Sequence, residues 1–134
     1  MKTLAFLIFT GALFAQPTVT VVKTAAGVAH SVSNTWTWAQ GTQDPASGFT
    51  LLRGTTPGGP YPVTAGTLAC ATGTCAAAST NYTLVDATAN VPGQTYCFVV
   101  QATAAGGASP NSNESCVKIP TSIAAPTAET ATAN

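Results

Sequence analysis

The stretch Val91-Pro92-Gly93-Gln94-Thr95-Tyr96-Cys97-Phe98-Val99-Val100-Gln101-Ala102 decides the fold. A Pro-Gly turn delivers the chain into a strand, because Pro presets one turn position and Gly accepts positive φ at the next. From Tyr96 onward one parity is Tyr96, Phe98, Val100 and Ala102, and the other is Cys97, Val99 and Gln101. Side chains of a strand alternate between its two faces. The aromatic parity is therefore the core face, and Cys97 is expected on the outward one.

The same alternation recurs on both sides of this stretch. Residues 17–22 alternate Thr with Val behind Pro17, as an edge strand blunted at its start, and 25–27 break it. Residues 32–38 place Val32, Asn34, Trp36 and Trp38 on one parity, with Trp36 in the core. Asn34 is polar at an apolar position, so it either lies near an edge or bonds backbone. Residues 41–48 form a loop around Asp44-Pro45. In 49–53, Phe49 and Leu51 point in, while Thr50 and Leu52 point out. Residues 55–62 are rich in Pro and Gly, with Tyr61 anchoring a short fourth strand. Residues 68–80 form an Ala/Thr-rich excursion holding Cys70 and Cys75. A strand at 82–85 ends at Asp86. A Gly-containing hairpin loop at 104–110 leads to a last strand at 114–119, stopped by Pro120. Seven short strands about ten residues apart, with no helical period between them, predict an antiparallel β-sandwich.

Composition narrows the function classes. At 134 residues the chain makes a single domain. Four Lys+Arg and four Asp+Glu leave no basic stripe for a phosphate backbone, so nucleic acid is not an expected partner. A neutral, Thr-rich surface also lacks the charge repulsion that keeps molecules apart, and self-association is open to it. Residues 1–15 place Lys2 ahead of an apolar run and a small residue, the layout of a secretory signal peptide cleaved after Ala15. The run is too short to span a bilayer, so the mature chain is expected to be secreted or periplasmic and not membrane-spanning. Residues 121–134 have no aromatic and no periodicity and read as a flexible tail. The domain proper is then 16–120.

Several pieces of this domain resemble, in order and spacing, a fibronectin type III module of bacterial type. They are the Trp36 strand, Gly48-Phe49-Thr50-Leu51-Leu52-Arg53-Gly54, Pro57-Gly58-Gly59-Pro60-Tyr61, Pro92-Gly93-Gln94-Thr95-Tyr96 and Ser112-Asn113-Glu114. The resemblance covers 17–120 and implies a seven-stranded immunoglobulin-like sandwich. It also implies that Tyr96 buries its ring at a strand corner and bonds upstream backbone through its hydroxyl. Asn34, the 68–80 excursion and the four cysteines depart from the pattern.

Four cysteines in an exported chain predict two disulfides out of three connectivities. The fold sets the seventh strand beside the sixth. A register that opposes Cys97 and Cys116 centres the hairpin between Gly106 and Gly107, where glycine suits a tight tip. The expected pairs are therefore Cys97–Cys116 and Cys70–Cys75, with Val99 opposite Glu114 and Gln101 opposite Ser112. The gaps do not suit a metal site, and no cofactor is expected.

Catalytic candidates are few. His30 has no accompanying nucleophile and is read as an exposed residue starting the second strand. Asp44 and Asp86 are separate loop acids, read as turn caps because a small filled sandwich offers no cleft between carboxylates. Trp38 and Tyr61 are the aromatics open to ligand contact, as a surface for a sugar or a partner; Trp38, at the end of its strand, otherwise forms a lid over the core. Asn81-Tyr82-Thr83 and Asn113-Glu114-Ser115 match the glycosylation pattern by chance. The leading expectation is a secreted, non-catalytic module with a structural, adhesive or protein-binding role. The alternatives are a carbohydrate-binding accessory module, with surface polysaccharide as partner, and a subunit of an extracellular filament, surface layer or virion.

Overall fold

The computed structural model describes residues 14–24, 27–40, 45–76 and 78–121. The chain forms β1 (Phe14–Thr24), β2 (Gly27–Trp38), β3 (Gly48–Gly54), β4 (Val63–Ala69), β5 (Thr80–Asp86), β6 (Thr95–Ala104), β7 (Gly107–Ala108) and β8 (Ser115–Lys118). One sheet has the order β1-β2-β5. The other runs β4-β3-β6, with β7 and β8 both on the far side of β6. Every pairing is antiparallel. β7 and β8 are two pieces of one interrupted strand, so the architecture is the seven-stranded immunoglobulin-like sandwich, three strands against four.

The core is the set that strand parity predicts. Trp36, Phe49, Leu51, Tyr96, Phe98, Val100 and Ala102 are all buried. Trp36 and Trp38 each meet the ring of Phe49 edge-on, at 5.4 and 5.7 Å between centroids. Tyr82 tilts against Phe49 as well, at 4.7 Å. Edge-to-face contact suits the ring quadrupoles and adds to the area each ring buries.

The first strand is an edge, as expected, but it begins at Phe14 and runs to Thr24. Phe14 and Ala15, the last two residues of the expected leader, pair with Thr37 and Trp36. The rest of that leader, Asp44, and the tail beyond Thr121 lie outside the described residues. His30 sits inside β2 and is half-buried, so it does not begin the strand.

The fourth strand is Val63–Ala69, not a short segment at Tyr61. It was hidden because Val-Thr-Ala-Gly-Thr-Leu-Ala lacks clean alternation, and a bulge between Leu51 and Leu52 leaves Ala65 unpaired and shifts its parity. A glycine lets this edge close the sandwich: a Cβ on Gly66 would lie 2.5 Å from Leu84 Cδ2 of β5.

The seventh strand departs from a single register. Cys97 opposes Cys116 and Phe98 opposes Ser115 as expected, but toward the tip Ala104 opposes Gly107. The hairpin centre is therefore between Ala105 and Gly106, and two extra residues are absorbed between Ala108 and Ser115. Pro110 has no N–H to give a ladder. Two serines repair the gap. Ser112 Oγ accepts from Val100 N–H at 2.9 Å and donates to Asn113 O, while Ser109 Oγ accepts from Ala102 N–H at 2.9 Å and donates to Pro110 O. Each hydroxyl stands in for a strand carbonyl. Ser112 thus faces Val100 and not Gln101.

Asn34 is fully buried in the middle strand of its sheet, so the edge reading is wrong. Its Nδ2 donates to Val32 O at 3.5 Å, a long bond, and its Oδ1 has no partner.

Candidate functional site

The two ends of the sandwich are built differently. At one end lie the turn at 55–62, the segment 87–94 and the close of β8. Arg53 is on the inward parity of β3 with Phe49 and Leu51, and Asp86 is on the inward parity of β5 with Tyr82 and Leu84. Both therefore point into the space between the sheets, where their side chains form an ion pair. Asp86 is 1% exposed. Its second oxygen accepts from Thr88 N–H at 2.8 Å and from the Thr88 hydroxyl at 2.6 Å. Arg53 Nη1 also reaches Thr88 Oγ1 at 2.8 Å, and its guanidinium lies 5.0 Å from the centre of the Tyr96 ring. A buried charge without such partners costs several kcal/mol. Here each carboxylate oxygen is occupied and the cation lies against an aromatic face.

The turn after Gly54 arches toward the seventh strand. The Glu114 carboxylate accepts from the Tyr61 hydroxyl and from Gly58 N–H, the latter at 2.8 Å. The hydrogen bond to Glu114, partial burial and the nearby negative charge together push the Tyr61 phenol up to about 12. Beside this turn is a cleft of about 220 Å³ lined by Arg53, Gly54, Thr55, Pro60, Pro62 and Val63 among others.

The same carboxylate lies within 4.8 Å of the sulfurs of Cys97 and Cys116. These two cysteines are joined, with Cα atoms 4.0 Å apart, as are Cys70 and Cys75 with Cα atoms 5.0 Å apart. Cys97 and Val99 are on the outward parity, yet both are buried. The parity itself holds, since neither belongs to the core cluster between the sheets, and Glu114 stands beside the bridge on this outer face. Cys97, Glu114 and Cys116 are the one cluster of metal-ligand types among the described residues, and its two sulfurs are spent on each other.

Tyr96 has the place expected of it. Its ring is buried and its hydroxyl accepts from Val91 N–H at 3.4 Å. Trp38 is the lid over the core and not a ligand-stacking face: it is 1% exposed and packs on Phe49 at the other end of the sandwich. Tyr61 is half-buried and committed to Glu114. Asp86 does cap a turn, as expected, but its larger role, the ion pair to Arg53, escaped the sequence reading. The signal was present, since both residues fall on inward parities at the same end of their strands.

This chain is similar to a solved Fn3-like protein from Clostridium thermocellum. The two share 28% identity over 81% of this chain and 95% of that one, with a TM-score of 0.45. No protein-family model and no curated protein sequence matches. The fold of the present chain rests on its own strand order and register.

Proposed function

We propose that the chain is an exported, non-catalytic β-sandwich module with a structural or adhesive role, acting on other proteins by surface contact. One observation carries this reading: the polar groups most suited to chemistry are spent on the fold. Arg53 and Asp86 close the core, Tyr61 and Glu114 pin a turn, and the four cysteines form two bridges. The carbohydrate-binding alternative loses its main support, because Trp38 is buried and the Tyr61 hydroxyl is committed to Glu114. Export is supported by the leader-like layout of residues 1–15 together with two disulfides in a small domain. Cleavage after Ala15 would remove the first two rungs of the β1–β2 ladder and leave Gln16 opposite Thr35.

The test is to express the full chain with its own N-terminus and recover it from the exported fraction. Intact mass should show a chain beginning near Gln16, and the purified protein should be retained by immobilised cell-surface proteins but not by insoluble polysaccharides. Full-length protein held in membranes would overturn export. Retention on polysaccharide would overturn the protein-binding reading.

A further inference from the structure

A sheet edge presents unpaired N–H and C=O groups and invites another strand, so folded proteins protect edges with Pro, Lys, bulges or interruptions. Four edges bound the two sheets. β1 carries Pro17 and Lys23. β4 is bulged at Ala65. The β7/β8 edge is broken at Pro110 and ends in Lys118. β5 has none of these devices from Thr80 to Val85, and its one inward charge, Asp86, stands at its end. Its seven residues, Thr80-Asn81-Tyr82-Thr83-Leu84-Val85-Asp86, pair with β2 in unbroken register from Trp38 to Val32. No backbone hydrogen bond is made on its other side among the described residues. Its outward residues Asn81, Thr83 and Val85 are exposed and uncharged, Val85 at 55%.

We propose that the β5 edge pairs antiparallel with the β5 edge of a second copy, joining two three-stranded sheets into one of six strands. The sequence of β5 suits its own reverse. A two-fold axis through Thr83 sets Thr83 against its copy, Tyr82 against Leu84, Asn81 against Val85 and Thr80 against Asp86. Thr–Thr and aromatic–aliphatic pairs are favourable across a ladder, and like charges directly opposite are not. This register has no like-charge pair. The chain without residues 1–15 carries three bases against four acids, a net charge of −1 that adds little long-range repulsion. An isologous contact of this kind closes at two copies. It stands whether or not the module also binds a foreign protein.

Sedimentation velocity of the full exported chain across a concentration series, up to about 1 mM where even weak specific association registers, tests the proposal. Wild type should pass from monomer to dimer. Thr83→Lys sets two lysines face to face on the axis and should hold the protein monomeric with its circular dichroism unchanged. Mixing Thr83→Lys with Thr83→Glu should restore a dimer containing one of each. Val85→Lys serves as a second edge variant should Thr83→Lys fail to fold. A wild type that stays monomeric throughout overturns the proposal. So does a dimer that survives the lysine variants, because the contact would then lie elsewhere.

Discussion

The sandwich has two ends, and they are closed by different chemistry. At the end where β3 finishes, the core is sealed by a buried ion pair, Arg53–Asp86, under the Tyr96 ring, with Glu114 tying down the adjoining turn. At the end where β3 begins, the seal is Trp38 and Phe49 with Tyr82, backed by the Cys70–Cys75 loop. That loop has little to bury, since Ala71, Thr72, Gly73 and Thr74 are all exposed. It is anchored instead by Cys75 N–H to Ala46 O at 2.7 Å and by Ala76 N–H to the Tyr82 hydroxyl at 3.0 Å. One end depends on charges removed from water, the other on apolar area and a covalent clip. A chain with so few charged residues has concentrated two of them where they close the core.

This contrast can be broken from either side. The largest loss is expected at the aromatic end. Trp38→Ala removes a buried ring packed on Phe49 and should cost roughly 3–5 kcal/mol in urea unfolding, as should Trp36→Ala deeper in the core. At the charged end, Arg53→Met leaves the Asp86 carboxylate buried without its partner and should cost about 3 kcal/mol by the same measurement. Replacing Cys70 and Cys75 together with serine should cost about 2 kcal/mol, from the chain entropy a short loop returns to the unfolded state. Its effect should fall on the aromatic end, as faster hydrogen exchange at Cys75 and Ala76. The smallest effect concerns Tyr61. Its folded phenol is pushed up to about 12, above the unfolded value of about 10. The neutral form is favoured in the fold, so this contribution is complete below pH 10 and is lost as pH rises toward 12. Tyr61→Phe should flatten that part of the stability profile and remove a phenolate step near pH 12 from the alkaline absorbance titration.

The core was legible in the sequence because strand parity exposes it: Trp36, Phe49, Leu51, Tyr96, Phe98 and Val100 are each buried where alternation placed them. The Cys97–Cys116 register was legible for the same reason, since a bridge requires opposed positions. What failed was whatever depends on local irregularity. The bulge at Ala65 disguised β4, and the two extra residues before Ser115 moved the hairpin tip and changed the partner of Ser112. No periodicity signals an inserted residue. Trp38 reads from the sequence as either a lid over the core or a ligand face, because a place near a strand end does not say what covers it. Arg53 and Asp86 were missed as a pair because a charged residue at a strand end is ordinarily solvated, and only the register of two separate sheets brings them together.

The most direct test of the two-ended account is a double-mutant cycle on Arg53 and Asp86, measured by urea unfolding. Arg53→Met and Asp86→Leu should each be costly alone. The double variant should cost far less than their sum, because an apolar pair replaces an ion pair without stranding a charge. The predicted coupling is at least about 2 kcal/mol, whereas Arg53→Met combined with Trp38→Ala, at opposite ends, should be additive within about 0.5 kcal/mol. Additivity for Arg53 with Asp86 would contradict the account, because the charged end would then not be held by this pair.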